Sequence, residues 1–411
     1  MKNIVFIGQI TDISGYGNAA RSYLESLLVL NRQRKINLKI INFSFEKAEV
    51  NVKEEVRNLF LSNDGIKDIF HDDYEEYEVI FFLTNDNMLV GKDNDQDFLS
   101  HWGRPRPNLY RICKNAKNLF PCVVWETDKA PKEFVQAYRY FDNIERLLCA
   151  CSWNEEVYHR QTGLSSCTIP YPLHDASIEF DQSMLNKINA VKKGRFSFCF
   201  ISQWGYRKGF DILLKSFLIE FENEPVDLVI KTYINKALTL RDETEVFKQE
   251  IDRMKKTLFP LKEENFGCKI IVINSLLSKE EINSIYKSAD CFVSCTRGEG
   301  FGLPIAEFIN FSKPVIVPDK GGHLDFCSKD NFFIQSNYEP CSQPPNHLYT
   351  PRMNIVEASV SSTMSKMREA YDMYKNDRSL FGKRGEGARD FLLNYLNVER
   401  NVKLFEEVLG L

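Results

Sequence analysis

One stretch of the sequence, from Asp290 to Asp319, constrains the fold more than any other. Two short apolar runs, Cys291 to Cys295 and Pro314 to Val317, are bounded by turn residues, a pattern typical of buried strands in a parallel sheet. Between them lie a glycine-rich loop and an apolar run opened by Pro304. Proline suits the first turn of a helix, because its missing N–H would have no partner there. The stretch therefore predicts a strand, a loop, a helix from about Leu303 to Phe311, and a second strand.

The glycine loop in front of this helix is suited to an anion. Gly298, Gly300 and Gly302 carry no Cβ, so a ligand can approach their backbone closely. The free amides and aligned dipoles of a helix start also attract a phosphate group. Glu299 and Glu307 bracket the loop, and a carboxylate can accept two hydroxyl donors from a sugar or ribose diol. The loop is thus predicted to hold phosphates and hydroxyls of one ligand.

The run from Glu299 to Glu307, with Lys313-Pro314 and Gly321-Gly322 behind it, resembles a known signature. It is similar to the E-x7-E motif of retaining, nucleotide-sugar-dependent glycosyltransferases of the GT-B fold, family-4 type. In that family the first glutamate contacts the transferred sugar and the second contacts the ribose, so the resemblance gives these roles to Glu299 and Glu307. It extends more weakly over nearly the whole chain and implies an α/β fold with two Rossmann-like doubly wound parallel-sheet domains facing a central cleft.

A second block of the same family precedes the signature. After the predicted strand Phe196 to Ile201, the run Arg207 to Asp211 resembles the family's R-K-G-x-D block, whose lysine neutralises the leaving diphosphate. A lysine at a strand-to-helix turn can also reach a phosphate as a point charge. The predicted catalytic residues are accordingly Lys208 and Glu299. The predicted donor-binding residues are Gly15, Arg207, Lys208, Arg297, Gly300, Phe301, Gly302, Leu303 and Glu307.

The beginning of the chain carries a weaker signal of the same kind. Asn3 to Gln9 predicts a strand, Thr11 to Asn18 a glycine loop, and Ala19 to Leu30 a helix. This is a Rossmann-like opening without the complete G-x-G-x-x-G fingerprint. By the resemblance, Gly15 in this loop lies near the donor phosphates.

The length of 411 residues favours two domains, because it is long for one hydrophobic core. The pattern of strands and helices predicts a Rossmann-like N-terminal domain over residues 1–172, a linker without strong periodicity over 173–193 and a Rossmann-like C-terminal domain over 194–378. The resemblance implies that the first domain lies on the acceptor side and that the second binds the nucleotide sugar. By the resemblance, the helices in 379–411 cross back to the first domain.

Acceptor contacts are expected from loops of the N-terminal domain. Glu126 and Asp128 follow the predicted strand Leu119 to Trp125, and side chains at the carboxyl ends of parallel strands face the ligand crevice. Capping of the next helix by Thr127 or Asp128 is the alternative. Related enzymes often carry a histidine near this point, where this chain has Trp125-Glu126.

The polar loop from Asn85 to Arg106 is the other expected source of acceptor contacts. Its Asp93-Asn94-Asp95 matches the metal-binding D-x-D of the other glycosyltransferase fold only superficially, because it does not follow a buried strand directly. No metal site is predicted there, and no cofactor besides the sugar donor is expected.

The composition bears on partners and location. The net charge of −4 comes from interspersed acids and bases, which disfavours nucleic acid as a partner. The eleven cysteines lie mostly in apolar strand-like runs without a C-x-x-C pair, which favours reduced core thiols over disulfides or zinc. The N-terminus does not resemble a signal peptide, and no apolar run approaches the ~18 residues of a membrane span. A cytoplasmic protein is predicted, with peripheral contact at the inner membrane face left open.

Together these features predict a hexosyltransferase that needs no metal and moves a sugar from a nucleoside diphosphate sugar to a hydroxyl of a glycan or lipid-linked acceptor, as in surface polysaccharide assembly. Retention at the anomeric carbon is implied by the resemblance alone. The base, the sugar, the acceptor and the linkage stay open.

Three other functions compete with this prediction. A sugar-nucleotide epimerase of the same fold would need no acceptor. A non-catalytic sugar-nucleotide-binding protein would bind the donor without releasing nucleotide. A nicotinamide dehydrogenase would need the complete glycine fingerprint and an acidic residue about twenty positions later, where Asn42 and Phe43 stand.

Overall fold

The computed structural model describes residues 1–43, 50–69, 76–82, 98–101, 104–173, 178–234, 240–262 and 265–411. The chain divides into two compact units. Unit 1 comprises Met1–His174 and Leu396–Leu411, and unit 2 comprises Asp175–Tyr395. Each unit contains a six-stranded parallel sheet with helices between its strands. The predicted fold class, a pair of doubly wound α/β domains of the Rossmann-like type, is confirmed.

The described elements follow each other along the chain in the alternating order typical of α/β proteins. The strands are β1 Lys2–Gly8, β2 Ile36–Asn42, β3 Tyr77–Phe82, β4 Phe98–His101, β5 Arg104–Pro107, β6 Leu119–Val123, β7 Leu147–Cys149, β8 Ser166–Thr168, β9 Phe196–Ile201, β10 Val226–Lys231, β11 Lys269–Ile273, β12 Cys291–Val293, β13 Val315–Pro318, β14 Phe332–Ile334, β15 Ser336–Pro340 and β16 Asn354–Ala358. The helices are α1 Gly15–Arg32, α2 Glu54–Arg57, α3 Asn63–Ile69, α4 Leu109–Asn115, α5 Lys132–Ala137, α6 Ser152–Thr162, α7 Gln182–Lys192, α8 Phe210–Glu220, α9 Leu240–Leu258, α10 Lys279–Ser288, α11 Leu303–Ile309, α12 Val360–Asn376, α13 Arg378–Leu396 and α14 Val398–Leu409.

The sheet of unit 1 has the strand order β2-β1-β3-β6-β7-β8, with all neighbours parallel. Strands buried on both faces read as continuous apolar runs, as Ile4 to Ile7 of β1 does. Helix α14 completes this unit from the other end of the sequence. The ring of Phe405 packs edge-on against Tyr23 of α1 at 5.5 Å, and Asn401 donates to the carbonyl of Pro170.

The first helix starts earlier than the sequence predicts. Ser14 caps α1 by accepting a hydrogen bond from the amide of Gly17 at 3.2 Å, so Gly15 and Gly17 lie in the first turn of the helix rather than in a loop before it. Gly17 is required for a different reason than ligand access. A Cβ at this position would lie 2.1 Å from the carbonyl oxygen of Asp12.

The segment predicted as a linker contains helix α7. The side chain of Asp181 caps it by accepting from the amide of Met184, and its C-terminal Lys192 donates to the carbonyl of Ser288 at the end of α10. Only Ile188 and Lys192 of this helix are buried, which is why its sequence carries little periodicity. The helix belongs to unit 2.

The polar loop expected over 85–106 falls partly outside the described residues, and so does its Asp93-Asn94-Asp95. Its described part is different from the expectation. Phe98–His101 and Arg104–Pro107 pair as the antiparallel strands β4 and β5.

The sheet of unit 2 has the strand order β11-β10-β9-β12-β13-β14, all parallel. From β9 the chain builds outward through β10 to β11, then returns to the other side of β9 for β12, β13 and β14. An aromatic-rich core that includes Phe198, Phe217 and Tyr371 fills the space between this sheet and helices α8 and α12. An antiparallel hairpin of β15 and β16 stands between β14 and α12.

The structure also bears on the predictions made for the cysteines and for membrane-spanning segments. All the cysteines except Cys167 are buried, so they pack as the small apolar core residues that were predicted. None of the described helices is long and apolar enough to cross a membrane.

Candidate functional site

The candidate site lies at the carboxyl edge of the unit 2 sheet, where the strand order reverses. The strands β9 and β12 are neighbours there, and one loop follows each of them: 202–209 after β9 and 294–302 after β12. In open α/β sheets, ligands bind outside the carboxyl ends of the strands at such a reversal. The two sequence blocks singled out above therefore meet at the place where the topology favours a ligand.

Glycine lets these two loops come into contact. Gly209 has a φ of 70°, and a Cβ there would lie 1.9 Å from the carbonyl oxygen of Cys295. Hydrogen bonds then join the loops: the amide of Arg297 donates to the carbonyl of Arg207, and the guanidinium of Arg207 donates to the carbonyl of Gly298, both at 2.7 Å. The loop after β9 and the loop after β12 form one hydrogen-bonded unit.

This contact brings the two predicted catalytic side chains together. The ammonium of Lys208 donates to Oε1 of Glu299, and the side chains are only 15% and 16% exposed. Burial alone would raise the pKa of Glu299, but the positive charges of Lys208 and Arg207 outweigh it and hold the pKa below its ordinary value. The site thus holds an ionised carboxylate beside a cation that carries three N–H donors.

Arg297 is a buried arginine that braces the loop after β12. Its side chain is 2% exposed, and all five of its N–H groups donate to protein acceptors. Asp211 and Glu357 each take two of these bonds and the carbonyl of Tyr206 takes the fifth, while the guanidinium lies 3.8 Å from the centre of the Tyr206 ring. These bonds hold the loop in place. That Arg297 also contacts the donor stays a prediction.

Glu307 lies on α11 and is fixed from α10. Its Oε1 accepts from Lys279, the first residue of α10, and its Oε2 accepts from the hydroxyl of Tyr286 at 3.1 Å. Burial raises the pKa of Tyr286, as does the neighbouring charge of Glu307, so the phenol stays a donor. The carboxylate is 17% exposed. Both signature glutamates are therefore part-buried and oriented by a cation.

The helix itself starts where the sequence predicts, with Pro304 in its first turn, but it ends at Ile309. The chain turns at Ser312, which has a φ of 56°. A helix of two turns carries a smaller dipole than the longer predicted one. The positive charge at this site consequently comes from Lys208 and Arg207 more than from the helix start.

His323 is a residue at the site that the sequence did not single out. Gly302 and Gly321 have φ values of 97° and 122°, and their backbones pack against it: a Cβ at Gly321 would lie 3.1 Å from Cε1 of the imidazole. The next amide, that of Gly322, donates to the carbonyl of Glu299 at 3.1 Å. The ring is fully buried with Nε2 2.8 Å from the carbonyl of Pro318, and burial lowers its pKa. A neutral imidazole thus supports the glycine loop from below.

The other predicted donor-binding residues of unit 2 lie in the same loop. Gly300 and Gly302 are buried, and Leu303 is the half-buried first residue of α11. The ring of Phe301 packs on Phe326 with the ring centres 5.0 Å apart, so this residue presents its backbone rather than its side chain.

Three predicted residues belong to unit 1. Gly15 is exposed at the start of α1, and a Cβ at this position would have no atom within 4 Å. Glu126 and Asp128 are half-buried in the turn after β6, at the carboxyl edge that the sequence predicts. The alternative role of a helix cap is wrong: Thr127 accepts from the indole of Trp125, and α5 begins after Pro131 without a side-chain cap.

This chain is similar to known proteins both in its structure and in part of its sequence. The structure resembles Anabaena HepE solved with UDP and glucose, with a TM-score of 0.61, 12% identity and coverage of 100% of both chains. Residues 181–340 match the family model described as glycosyl transferases group 1. The chain is a glycosyltransferase with the GT-B fold. The matched region contains both joined loops, including Lys208 and both signature glutamates.

Other solved structures are similar to the glycosyltransferase over their whole length. A glycosyltransferase from Rickettsia africae has 14% identity and a TM-score of 0.60, with 99% of this chain and 98% of that chain covered. An E. coli trehalose-6-phosphate protein bound with UDP-2-fluoro glucose has 9% identity and a TM-score of 0.62, with the same coverage. Identities this low show a shared fold. No curated protein matches the glycosyltransferase in sequence.

Proposed function

We propose that this glycosyltransferase moves a hexose-type sugar from a nucleoside diphosphate sugar to a hydroxyl of a glycan or lipid-linked acceptor. The observation that carries this proposal is the Lys208–Glu299 pair at the strand-order reversal. It offers one cation for phosphate and one carboxylate for sugar hydroxyls at adjacent positions. Because HepE is solved with UDP-glucose, UDP-glucose is the first donor to test.

In this proposal each fixed side chain contacts a different part of the donor. Glu299 accepts hydrogen bonds from hydroxyls of the transferred sugar, and Glu307 accepts hydrogen bonds from the ribose hydroxyls. The ammonium of Lys208 has three N–H donors, so it can contact the diphosphate while it also holds the carboxylate of Glu299. Arg207, whose guanidinium already holds the carbonyl of Gly298, adds positive charge beside the same phosphates.

We further propose that transfer needs no divalent metal. Cleavage of the sugar–phosphate bond leaves negative charge on the diphosphate, and charges that are already in position stabilise such a transition state strongly. Lys208 and Arg207 supply positive charge at the predicted phosphate position, which is one of the tasks that a metal ion can perform.

Retention is proposed from the resemblance of the run from Glu299 to Glu307. The acceptor oxygen attacks the anomeric carbon from the side of the leaving group, the bond to the diphosphate oxygen breaks, and that oxygen takes the hydroxyl proton. Glu126 and Asp128 are the proposed acceptor contacts, and Gly15 the proposed phosphate contact from unit 1. Surface polysaccharide assembly in the cytoplasm, with peripheral membrane contact, is the proposed setting.

The first experiment identifies the donor. A thermal-shift panel of UDP-, GDP-, ADP- and dTDP-sugars is expected to give one clear stabilisation, because ligand binding raises the unfolding temperature by mass action. Nucleotide release is then measured with glycan and lipid-linked acceptors, with and without EDTA. Acceptor-dependent release that EDTA leaves unchanged supports the proposal.

Other outcomes select the alternatives. Conversion of the donor sugar without an acceptor would indicate an epimerase, and binding without release under every condition would indicate a non-catalytic protein. The variants Glu299→Ala and Lys208→Ala are expected to fold and to lose transfer. Wild-type turnover in either variant contradicts the assigned site.

A further inference from the structure

Lys231 is a lysine whose side chain is largely buried in the fold. It is the last residue of β10 and is 8% exposed. Among the residues that the structure describes, its ammonium has neither a hydrogen-bond acceptor nor an ion-pair partner. Burial lowers the pKa of this lysine, and the charge of Glu243 acts in the opposite direction. A buried charge without a bonded partner is costly for the folded state.

The backbone places Lys231 at the same sheet edge as the site. Lys231 pairs with Ile201, the last residue of β9, and its carbonyl accepts from the amide of Ser202 at 3.1 Å. Ser202 opens the loop that carries Arg207 and Lys208. Neighbouring strands are only about 4.8 Å apart, so Lys231 stands directly beside the base of this loop.

The ammonium lies near a residue that follows the strand. It lies 5.4 Å from the centre of the Tyr233 ring, and Tyr233 follows the strand and is 42% exposed. The neighbouring Thr232 is fully buried, and its hydroxyl has no hydrogen-bond partner among the described residues. The hydroxyl of Thr232 therefore lacks the partner that buried polar groups normally have.

We propose that Lys231 is a donor-binding residue, whose ammonium donates a hydrogen bond to an oxygen of the nucleoside diphosphate. This inference rests on the proposed function. An oxygen of the ligand would supply a hydrogen-bond acceptor for this ammonium, so binding would offset part of the cost of burying the charge. Lys231 acts alongside Lys208, one strand away from it.

The central test compares Lys231→Met with the wild-type protein. The neutral side chain is expected to weaken UDP binding about tenfold to a hundredfold, the value of one charge-assisted hydrogen bond. Without ligand, the variant is expected to unfold at the same temperature as the wild type or at a higher one, because a costly charge is gone. Lys231→Arg is expected to retain part of the affinity.

A matched control lies at the opposite edge of the same sheet. Lys269 is the exposed first residue of β11, so Lys269→Met makes the same change away from the site. It is expected to bind UDP as the wild type does. Calorimetric titrations with UDP, UMP and uridine then locate the contact. If Lys231→Met loses affinity for UDP and UMP but not for uridine, Lys231 contacts a phosphate. If it loses affinity equally for all three, Lys231 contacts the nucleoside.

Two results would overturn the inference while leaving the proposed function intact. One is a Lys231→Met variant that binds UDP within twofold of the wild type. The other is a variant that unfolds at a clearly lower temperature without ligand, which indicates a structural lysine. If the wild-type protein binds none of UDP, GDP, ADP and dTDP, the proposed function fails and this inference fails with it.

Discussion

Gly209 and the carbonyl of Cys295 lie so close together that any side chain on Gly209 would overlap the oxygen, at 1.9 Å. Gly209 also has a left-handed backbone, with a φ of 70°. The contact joins the loop after β9 to the loop after β12. It therefore fixes the relative position of Lys208 and Glu299, which come from loops about ninety residues apart.

The first prediction concerns this contact. Gly209→Ala is expected to destabilise the protein by about 2 kcal/mol or more, because it adds both backbone strain and overlap. It is also expected to reduce transfer by separating Lys208 from Glu299. Gly205 in the same loop is the control: its φ of 173° is extended and nothing lies within 4 Å of a Cβ there. Chemical denaturation and donor turnover measure both variants, and equal effects of the two substitutions would refute the prediction.

A second prediction is a change in pH dependence when Lys208 is replaced by methionine. In the wild type the pKa of Glu299 is lowered, so its contribution to stability is present above the unfolded value of about 4.3 and is lost as the pH falls through the folded pKa. Without Lys208, burial dominates and raises this pKa. The folded state then binds more protons than the unfolded state between the two values, so stability falls as pH rises through that window.

The expected loss at neutral pH is about 1–3 kcal/mol, the cost of a poorly paired buried carboxylate. The measurement is the unfolding temperature at pH values from about 4 to about 8, a range that begins near the ordinary pKa of a glutamate. The double variant Lys208→Met with Glu299→Gln is the control and should lose the slope. A slope that persists in the double variant would assign the effect to another group.

A third prediction tests whether Arg297 acts through its five hydrogen bonds or only through its positive charge. Arg297→Lys keeps the charge but cannot make five hydrogen bonds in one plane, so Asp211 and Glu357 lose partners. We expect destabilisation of about 3 kcal/mol or more, the usual cost of breaking a buried pair. The exposed Arg253, whose side chain is 67% exposed, gives the control Arg253→Lys with an expected effect below about 0.5 kcal/mol. Urea denaturation decides, and wild-type stability of Arg297→Lys would contradict the bracing role.

A fourth prediction uses the pair of Glu307 and Tyr286. Glu307→Gln is expected to raise the KM for the donor about tenfold with kcat nearly unchanged, because a ribose contact is the same in the ground state and the transition state. Tyr286→Phe removes one hydrogen bond that orients the carboxylate, and about 1 kcal/mol corresponds to roughly a fivefold rise in KM. Steady-state kinetics with varied donor test both. A fall in kcat at constant KM would instead place Glu307 at the reacting carbon.

The sequence predicts the centre of unit 2 well because its signals there are local. Apolar runs give β12 and β13 to within two residues, and Pro304 gives the start of α11. Gly298, Gly300 and Gly302 show where the chain must turn without side chains. None of these inferences needs to know what lies elsewhere in the fold.

Other residues could not be assigned because their partners are distant. Arg297 stands in the same loop as Glu299, and only the fold shows that it pairs with Asp211 and Glu357, 86 and 60 residues away. Lys231 ends an apolar strand, so the sequence offers no hint that its ammonium lacks a bonded partner among the residues the structure describes. Helix α7 was assigned to a linker because it buries too few side chains to show a period.

Helix α14 is the last helix of unit 1 to be synthesised. Residues 398–409 are translated after the whole of unit 2, yet Phe405 packs against Tyr23 near the beginning of the chain. The sheet of unit 1 is therefore synthesised long before its last covering helix, whereas unit 2 has every strand of its own sheet as soon as Ile334 has emerged. Until α14 is synthesised, Phe405 does not cover Tyr23 on α1. During that interval, only other molecules that bind the nascent protein can shield this face of α1 from solvent.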